Sequence, residues 1–296
     1  MALFRKSGEL LKQSFAVLRQ DKQLLIFPIL STIACVAVLI SFAAPFLFAA
    51  IAGDFAQRHE QREISAGMKA IGFGLTFLFY FINYTIVVFF NTALVSCAME
   101  RFNGRASTVS DGLRAAVSLL PQILGWALLS ATVGTILRAI EERVGFVGKL
   151  ITALVGAAWS IATYFVVPVL VVEKVGPVDA VKRSVEVLSK NWGQALVSNV
   201  GLGLINVGLF LLCVLPVAIG GALSVSIQHW IPVAIGAFFT VLLLIVFSLV
   251  TSAMRMILVA ALYRFAADGS VPPGFVESDL RRAFAPKKSP ANETTN

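Results

Sequence analysis

The chain has 296 residues, 58% hydrophobic and only 14% charged, and its mean hydropathy is +0.86. Soluble domains carry about 25% charged residues and are under half apolar, so this composition excludes an ordinary soluble domain and points to a bilayer. The formal charge of +8 is scattered over short connections and two tails. It implies no nucleic-acid surface and suits the basic loops of an inner-membrane protein.

The first predicted element is an amphipathic helix over Lys6 to Lys22. The first span follows, Leu24 to Ala52, and its apolar run far exceeds the ~7–15 residues of a signal-peptide core. After a mixed-charge connection, Gly53 to Lys69, span two runs from about Ala70 to Met99 and ends in Glu100-Arg101-Phe102-Asn103-Gly104. A second amphipathic helix covers Thr108 to Leu124, with Thr108 and Asp111 spaced as a capping pair. Span three covers about Pro121 to Leu137 and span four about Leu150 to Val172. The third amphipathic helix is Gly176 to Trp192, with Val178, Val181, Val185, Leu188 and Trp192 on one face. Span five, Ala195 to Leu223, is rich in glycine, which lets helix backbones approach closely. Span six runs from Ile231 to Leu262. A Pro272-Pro273-Gly274 turn then leads into a polar tail, with disorder expected over 286–296.

The three amphipathic segments share a register. An acid leads in each (Glu9, Asp111, Asp179) and a base follows three residues later (Lys12, Arg114, Lys182). Apolar positions then line up as Leu11/Leu113/Val181, Phe15/Val117/Val185 and Leu18/Leu120/Leu188. Three copies in register, each before a span, read as an internal repeat. The fold class expected is an all-α integral membrane protein whose six transmembrane helices form three repeated hairpins, each preceded by a cytoplasmic amphipathic helix. The hairpins cover about 6–99, 108–172 and 176–266, within one membrane domain over 1–266. A cytoplasmic, partly disordered tail occupies 267–296.

Seventeen of the 24 Lys and Arg residues fall in the two termini and in the second and fourth connections, against six on the opposite side. Both termini are therefore expected in the cytoplasm of a bacterium, at its inner membrane. Lys12, Arg114, Lys182, Arg183 and Lys190 then stand on membrane-surface helices facing anionic lipid.

Little in the chain carries chemistry. No nucleophile elbow, zincin helix, phosphate loop or metal-ligand spacing occurs, and Cys35, Cys97 and Cys213 read as small core residues. The expectation is a non-enzymatic protein without cofactor or metal. No Asp or Glu lies inside the apolar body of a span, which argues against a carboxylate-based proton-coupled transporter. Arg255 lies eight residues before Tyr263, and Asn199, Asn91, Thr92, Thr163 and Tyr164 occupy comparable depths on other spans. These residues make a candidate polar pocket open to the cytoplasmic leaflet. The alternative is that Arg255 snorkels to the interface while the amides and hydroxyls bond across helices.

GPVDAVKRSVEVLSKNW, its junction with span five, and the preceding ATYFVVPVLVVEKV resemble a bacterial membrane-protein family of unknown function. That family is distantly similar to the membrane domain fused to some glycerophosphodiester phosphodiesterases. The resemblance implies architecture and carries over no activity. The expected partners are membrane lipids, anionic ones first, and the expected function is to bind or move lipid or an amphiphilic anion. A membrane scaffold for a partner protein is the alternative, and a homo-oligomer is left open.

Overall fold

The computed structural model describes residues 2–51, 66–192 and 200–284, and among these every regular element is helical. The helices are α1 (Ala2–Gln20), α2 (Ile26–Ile51), α3 (Ala66–Phe102), α4 (Val109–Ser118), α5 (Leu120–Glu141), α6 (Phe146–Ala162), α7 (Val166–Glu173), α8 (Pro177–Trp192), α9 (Val200–Ile227), α10 (Ile231–Asp268) and α11 (Glu277–Phe284). A 3-10 turn, Lys22–Leu25, joins α1 to α2.

Six segments are long and apolar enough to cross a membrane: Lys22–Pro45, Ile71–Phe102, Leu120–Glu141, Phe146–Glu173, Phe210–Ile227 and Ile231–Asp268. Their acidic residues (Glu100, Glu141, Glu173 and Asp268) all lie within three residues of a C-terminal end. A carboxylate deeper in hydrocarbon would cost several kcal/mol.

Two of these helices are much longer than a bilayer needs. With 37 and 38 residues, α3 and α10 each extend about 55 Å, against a hydrocarbon core of about 30 Å. Burial divides each of them. In α10 the apolar side chains of Ile231, Ile235, Phe238, Leu242 and Val246 are exposed, whereas Ile257–Tyr263 is buried without interruption. In α3, Ile71, Phe73, Leu75 and Leu78 are exposed, and Thr92–Val95 and Cys97–Met99 are buried.

The described residues fall into two compact units. The first comprises those within Met1–Leu25, Ala98–Ala106 and Glu186–Asn296, the second those within Ile26–Cys97 and Ser107–Val185. In the first unit α9 and α10 form a tight hairpin. A Cβ on Gly220 would strike the Pro232 carbonyl, and one on Gly236 would strike the Pro216 carbonyl, so glycine sets the helix spacing from both sides. α1 and the 3-10 turn pack against α10.

The segment read from sequence as a polar tail is structured as far as Phe284. Gly274 takes φ +87°, closing a turn in which the Phe275 N–H donates to the Pro272 carbonyl at 3.1 Å. Beyond the turn Phe275 packs edge-on against Phe102, and Leu280 is fully buried. The Gln13 carboxamide of α1 holds the segment at both ends, donating to Asp279 at 2.7 Å and accepting the Val276 N–H at 3.2 Å. Apolar side chains at 275 and 280 are thus the reason this stretch docks. The expected disorder over 286–296 lies outside the described residues.

In the second unit Gly112 brings α4 onto α3. A Cβ there would meet Cys97 Sγ at 2.6 Å, Phe27 at 2.7 Å and the Ala93 carbonyl at 2.8 Å. Trp126 on α5 stacks on Trp159 of α6, with centroids 5.9 Å apart and an interplanar angle of 14°.

Burial on the three helices that precede spans follows one register. Leu10, Gly112 and Ala180 are buried, as are Ser14, Ala116 and Ser184, and Val17, Leu119 and Val187. The apolar residues one step after the second set, Phe15, Val117 and Val185, are exposed at 47%, 59% and 43%. On α8 the buried side is therefore Ala180, Ser184, Val187 and Leu188, which shares only Leu188 with the apolar stripe that the sequence displays. Small residues occupy the close contacts, and the bulkier valines at 178 and 185 stay outside.

Candidate functional site

Span four is where the backbone departs from the expected continuous helix. Pro168 lacks the N–H that would serve the Tyr164 carbonyl four residues earlier, and its ring crowds that carbonyl. The helix opens between α6 and α7 over Thr163–Phe165. Local i→i+3 bonds replace the regular ladder: the Tyr164 N–H donates to the Ile161 carbonyl and the Val166 N–H to the Thr163 carbonyl, both at 3.1 Å. The Phe165 N–H donates instead to the hydroxyl of Ser184 on α8 at 3.0 Å, with both residues fully buried. Irregular backbone at membrane depth survives only where protein or a polar cavity satisfies it, and here a helix hydroxyl does so.

Of the residues expected in a polar pocket, Asn199 lies outside the described residues. Tyr164 sits in the opening of span four, its ring edge-on to Phe165 at 5.0 Å. Asn91 and Thr92 lie on α3. Thr92 is fully buried, and neither its hydroxyl nor that of Ser96, one turn on, finds a partner among the described residues. All of these belong to the second unit, whereas Arg255, on α10, belongs to the first.

Arg255 is exposed and makes no hydrogen bond or ion pair among the described residues. It shares one exposed helix face with Ser252 and Ser248, three and seven residues earlier. This polar face lies between the exposed apolar stretch of α10 and the buried run Ile257–Tyr263. Helix α10 continues five residues beyond Tyr263, so Arg255 lies farther from the helix end than the sequence reading placed it.

The bases expected to face lipid are occupied. Lys12 pairs with Glu9 at 3.0 Å, Arg114 with Asp111 at 3.8 Å, Lys182 with Asp179 at 3.2 Å and Lys190 with Glu186 at 2.6 Å. These pairs are exposed, so each contributes little to stability. Arg183 reaches back to Glu173 at 2.8 Å, tying α8 to the last turn of α7. No sequence signal marked that contact, because the partners are ten residues apart across a left-handed Lys174.

Thr108 and Asp111 form the capping box their spacing implied. The Asp111 N–H donates to the Thr108 hydroxyl oxygen at 3.3 Å, and the Thr108 N–H donates to the Asp111 carboxylate at 2.9 Å. The Thr108 hydroxyl also donates to that carboxylate at 2.7 Å. These bonds, the hydroxyl first, and then Arg114 hold the Asp111 carboxyl below its ordinary value. Among the described residues no three His, Cys, Asp or Glu side chains gather as a metal site.

Six membrane-length helices in an all-helical described fold, with their acidic residues at their ends, define a multi-pass membrane protein. Residues 70–273 match the model of a family of unknown function (DUF6159), and the chain belongs to that family. No curated protein and no solved structure matches it.

Proposed function

We propose that this is a non-enzymatic protein of a bacterial inner membrane that binds or moves lipid, or another amphiphilic anion, at the cytoplasmic leaflet. In this reading both termini are cytoplasmic, as the bias of basic residues favours. The three hairpins are repeats, and α1, α4 and α8 are their amphipathic lead helices.

The observation that carries the reading is the exposed Arg255, which has no partner among the described residues. From Ile231 to Arg255 the helix rises about 36 Å, slightly more than the ~30 Å hydrocarbon core. Arg255 therefore falls at the headgroup level of one leaflet, just where α10 passes from a bare apolar surface into the packed end of the unit. A guanidinium there can grip a phosphate with two parallel N–H bonds, a geometry that lysine does not offer.

Lipid extracted with the purified chain tests the reading. Arg255→Lys should lower the amount of co-purifying anionic lipid, and Arg255→Leu should remove it while raising apparent thermal stability. Equal lipid occupancy in the Leu variant would leave Arg255 as a snorkelling residue only. The scaffold reading draws on the exposed apolar length of α9 and α10, and a stoichiometric protein partner after gentle extraction would favour it.

A further inference from the structure

Helix geometry gives α1, α4 and α8 three faces rather than two. With 100° per residue, positions 10, 14 and 17 of α1 lie within about 60° of one another, and these are the buried Leu10, Ser14 and Val17. Leu11 and Phe15 lie to one side of that face. Glu9, Lys12, Ala16 and Arg19 lie on the remainder. The same partition recurs on α4, with Gly112, Ala116 and Leu119 buried, Leu113 and Val117 to the side, and Asp111 and Arg114 opposite. It recurs again on α8, with Ala180, Ser184 and Val187, then Val181 and Val185, then Asp179 and Lys182. In every copy the 11/113/181 position is half-buried and the 15/117/185 position exposed.

A helix meets three environments when it lies against a bundle at the surface of a bilayer: protein on one side, acyl chains below, water above. Chain connectivity puts these helices at that depth, α8 through its junction with α7, from which only 174–176 separate it. Leu119 alone separates α4 from the span-length α5, and only 21–25 separate α1 from α2. The acid–base pair recurs in each copy, but the net charge does not: α4 is balanced, α8 has one base in excess and α1 has three, so the feature the three copies share is the apolar row and not a basic face. We infer that Phe15, Val117 and Val185, with Leu11, Leu113 and Val181 beside them, are embedded in the acyl boundary of one leaflet. That leaflet is the cytoplasmic one in the orientation proposed above. The three rows are thus interfacial anchors that hold by apolar burial rather than by charge. This inference is independent of what Arg255 binds.

Spin labels on the full chain test it, with Cys35, Cys97 and Cys213 replaced by Ala. Labels enter through Phe15→Cys, Val117→Cys and Val185→Cys, and for comparison through Lys12→Cys, Arg114→Cys and Lys182→Cys. The protein is reconstituted in phosphatidylcholine vesicles with and without phosphatidylglycerol. The first three labels should collide more with oxygen than with a water-soluble nickel chelate, and the second three the reverse, in both lipids. Greater access to the chelate at 15, 117 and 185 overturns the inference, since those rows would face water. Loss of the oxygen preference in vesicles without phosphatidylglycerol overturns it too, because charge would then do the seating. A photo-reactive residue at the same three positions gives a second readout in unlabelled, cysteine-containing protein. Adducts to phospholipid support the inference. Adducts to a second copy or to another protein overturn it.

Discussion

Spans four and five each contain a proline well inside an apolar run, and the chain answers the two differently. Around Pro216 helix α9 stays continuous from Val200 to Ile227. The Val217 N–H donates to the Thr240 hydroxyl of α10 at 3.0 Å, within reach because Gly236 lets α10 approach the Pro216 carbonyl. Around Pro168 the helix instead opens over three residues, and the Phe165 N–H goes to Ser184 of α8. In both places a hydroxyl from a neighbouring helix accepts a backbone N–H close to the proline. The proline alone does not decide the outcome; the geometry of the neighbour does. Span four's backbone also depends on a lead helix, so α8 is part of the hydrogen bonding of the span it follows.

The strongest way to break the comparison is to force α9 and α10 apart. Gly236→Leu places a side chain where the Pro216 carbonyl already stands, and overpacking of this kind costs about 3 kcal/mol. Gly221→Leu is the matched control, since nothing lies within 4 Å of the Cβ it would add. Thermal unfolding of the full chain in detergent should show a large loss for the first and little change for the second. Equal losses would mean that the hairpin is not held by this close approach.

A smaller effect separates the two hydroxyls. Ser184→Ala removes the hydroxyl that accepts the buried Phe165 N–H, which costs about 1–3 kcal/mol. Thr240→Val should cost less, about 1 kcal/mol, because Val217 is only half-buried. Adding Pro168→Ala sharpens the contrast. With the proline gone, Phe165 can return its N–H to the Ile161 carbonyl, so the loss from Ser184→Ala should shrink in that background. Hydrogen exchange at the Phe165 amide follows the same change directly. A loss that does not depend on residue 168 would separate the Ser184 contact from the break.

Much of this architecture was legible in the sequence because hydropathy and length govern it. The six spans, the acid–base pairs of the lead helices, the Thr108 capping box and the Gly274 turn each rest on neighbours in the chain. What remained hidden depends on distant partners. Pro168 was visible in an apolar run, but its consequence needed Ser184. The buried side of α8 escaped an apolarity-based reading because two of its residues, Ala180 and Ser184, are small and one of them is polar. The docking of 271–284 onto α1 was masked by the polarity of the segment, which hides only two large anchors, Phe275 and Leu280. The candidate pocket was drawn from depth along separate helices, and its described residues fall in both units, with Arg255 exposed on α10.

The smallest expected effect lies at the start of α4, the one lead helix whose N-terminus has a full side-chain cap among the described residues. Thr108→Ala removes the hydroxyl that accepts the Asp111 N–H and should cost about 1 kcal/mol. Asp111 adds a pH signature. Its carboxyl is held below the ordinary 3.8, first by the Thr108 hydroxyl, then by the Thr108 N–H, with Arg114 adding to them. A carboxyl with a lowered folded-state pKa binds protons more readily in the unfolded chain, so stability rises with pH through that range. The contribution is therefore fully present at neutral pH and is lost as pH falls through the lowered value. The stability difference between the parent and Asp111→Asn should stay constant down to about pH 5 and narrow below it. Thr108→Ala should weaken this pH dependence, because the hydroxyl is the main cause of the shift. A difference that persists unchanged down to pH 3 would show that the carboxylate stabilises nothing at this cap, leaving the threonine to cap α4 alone.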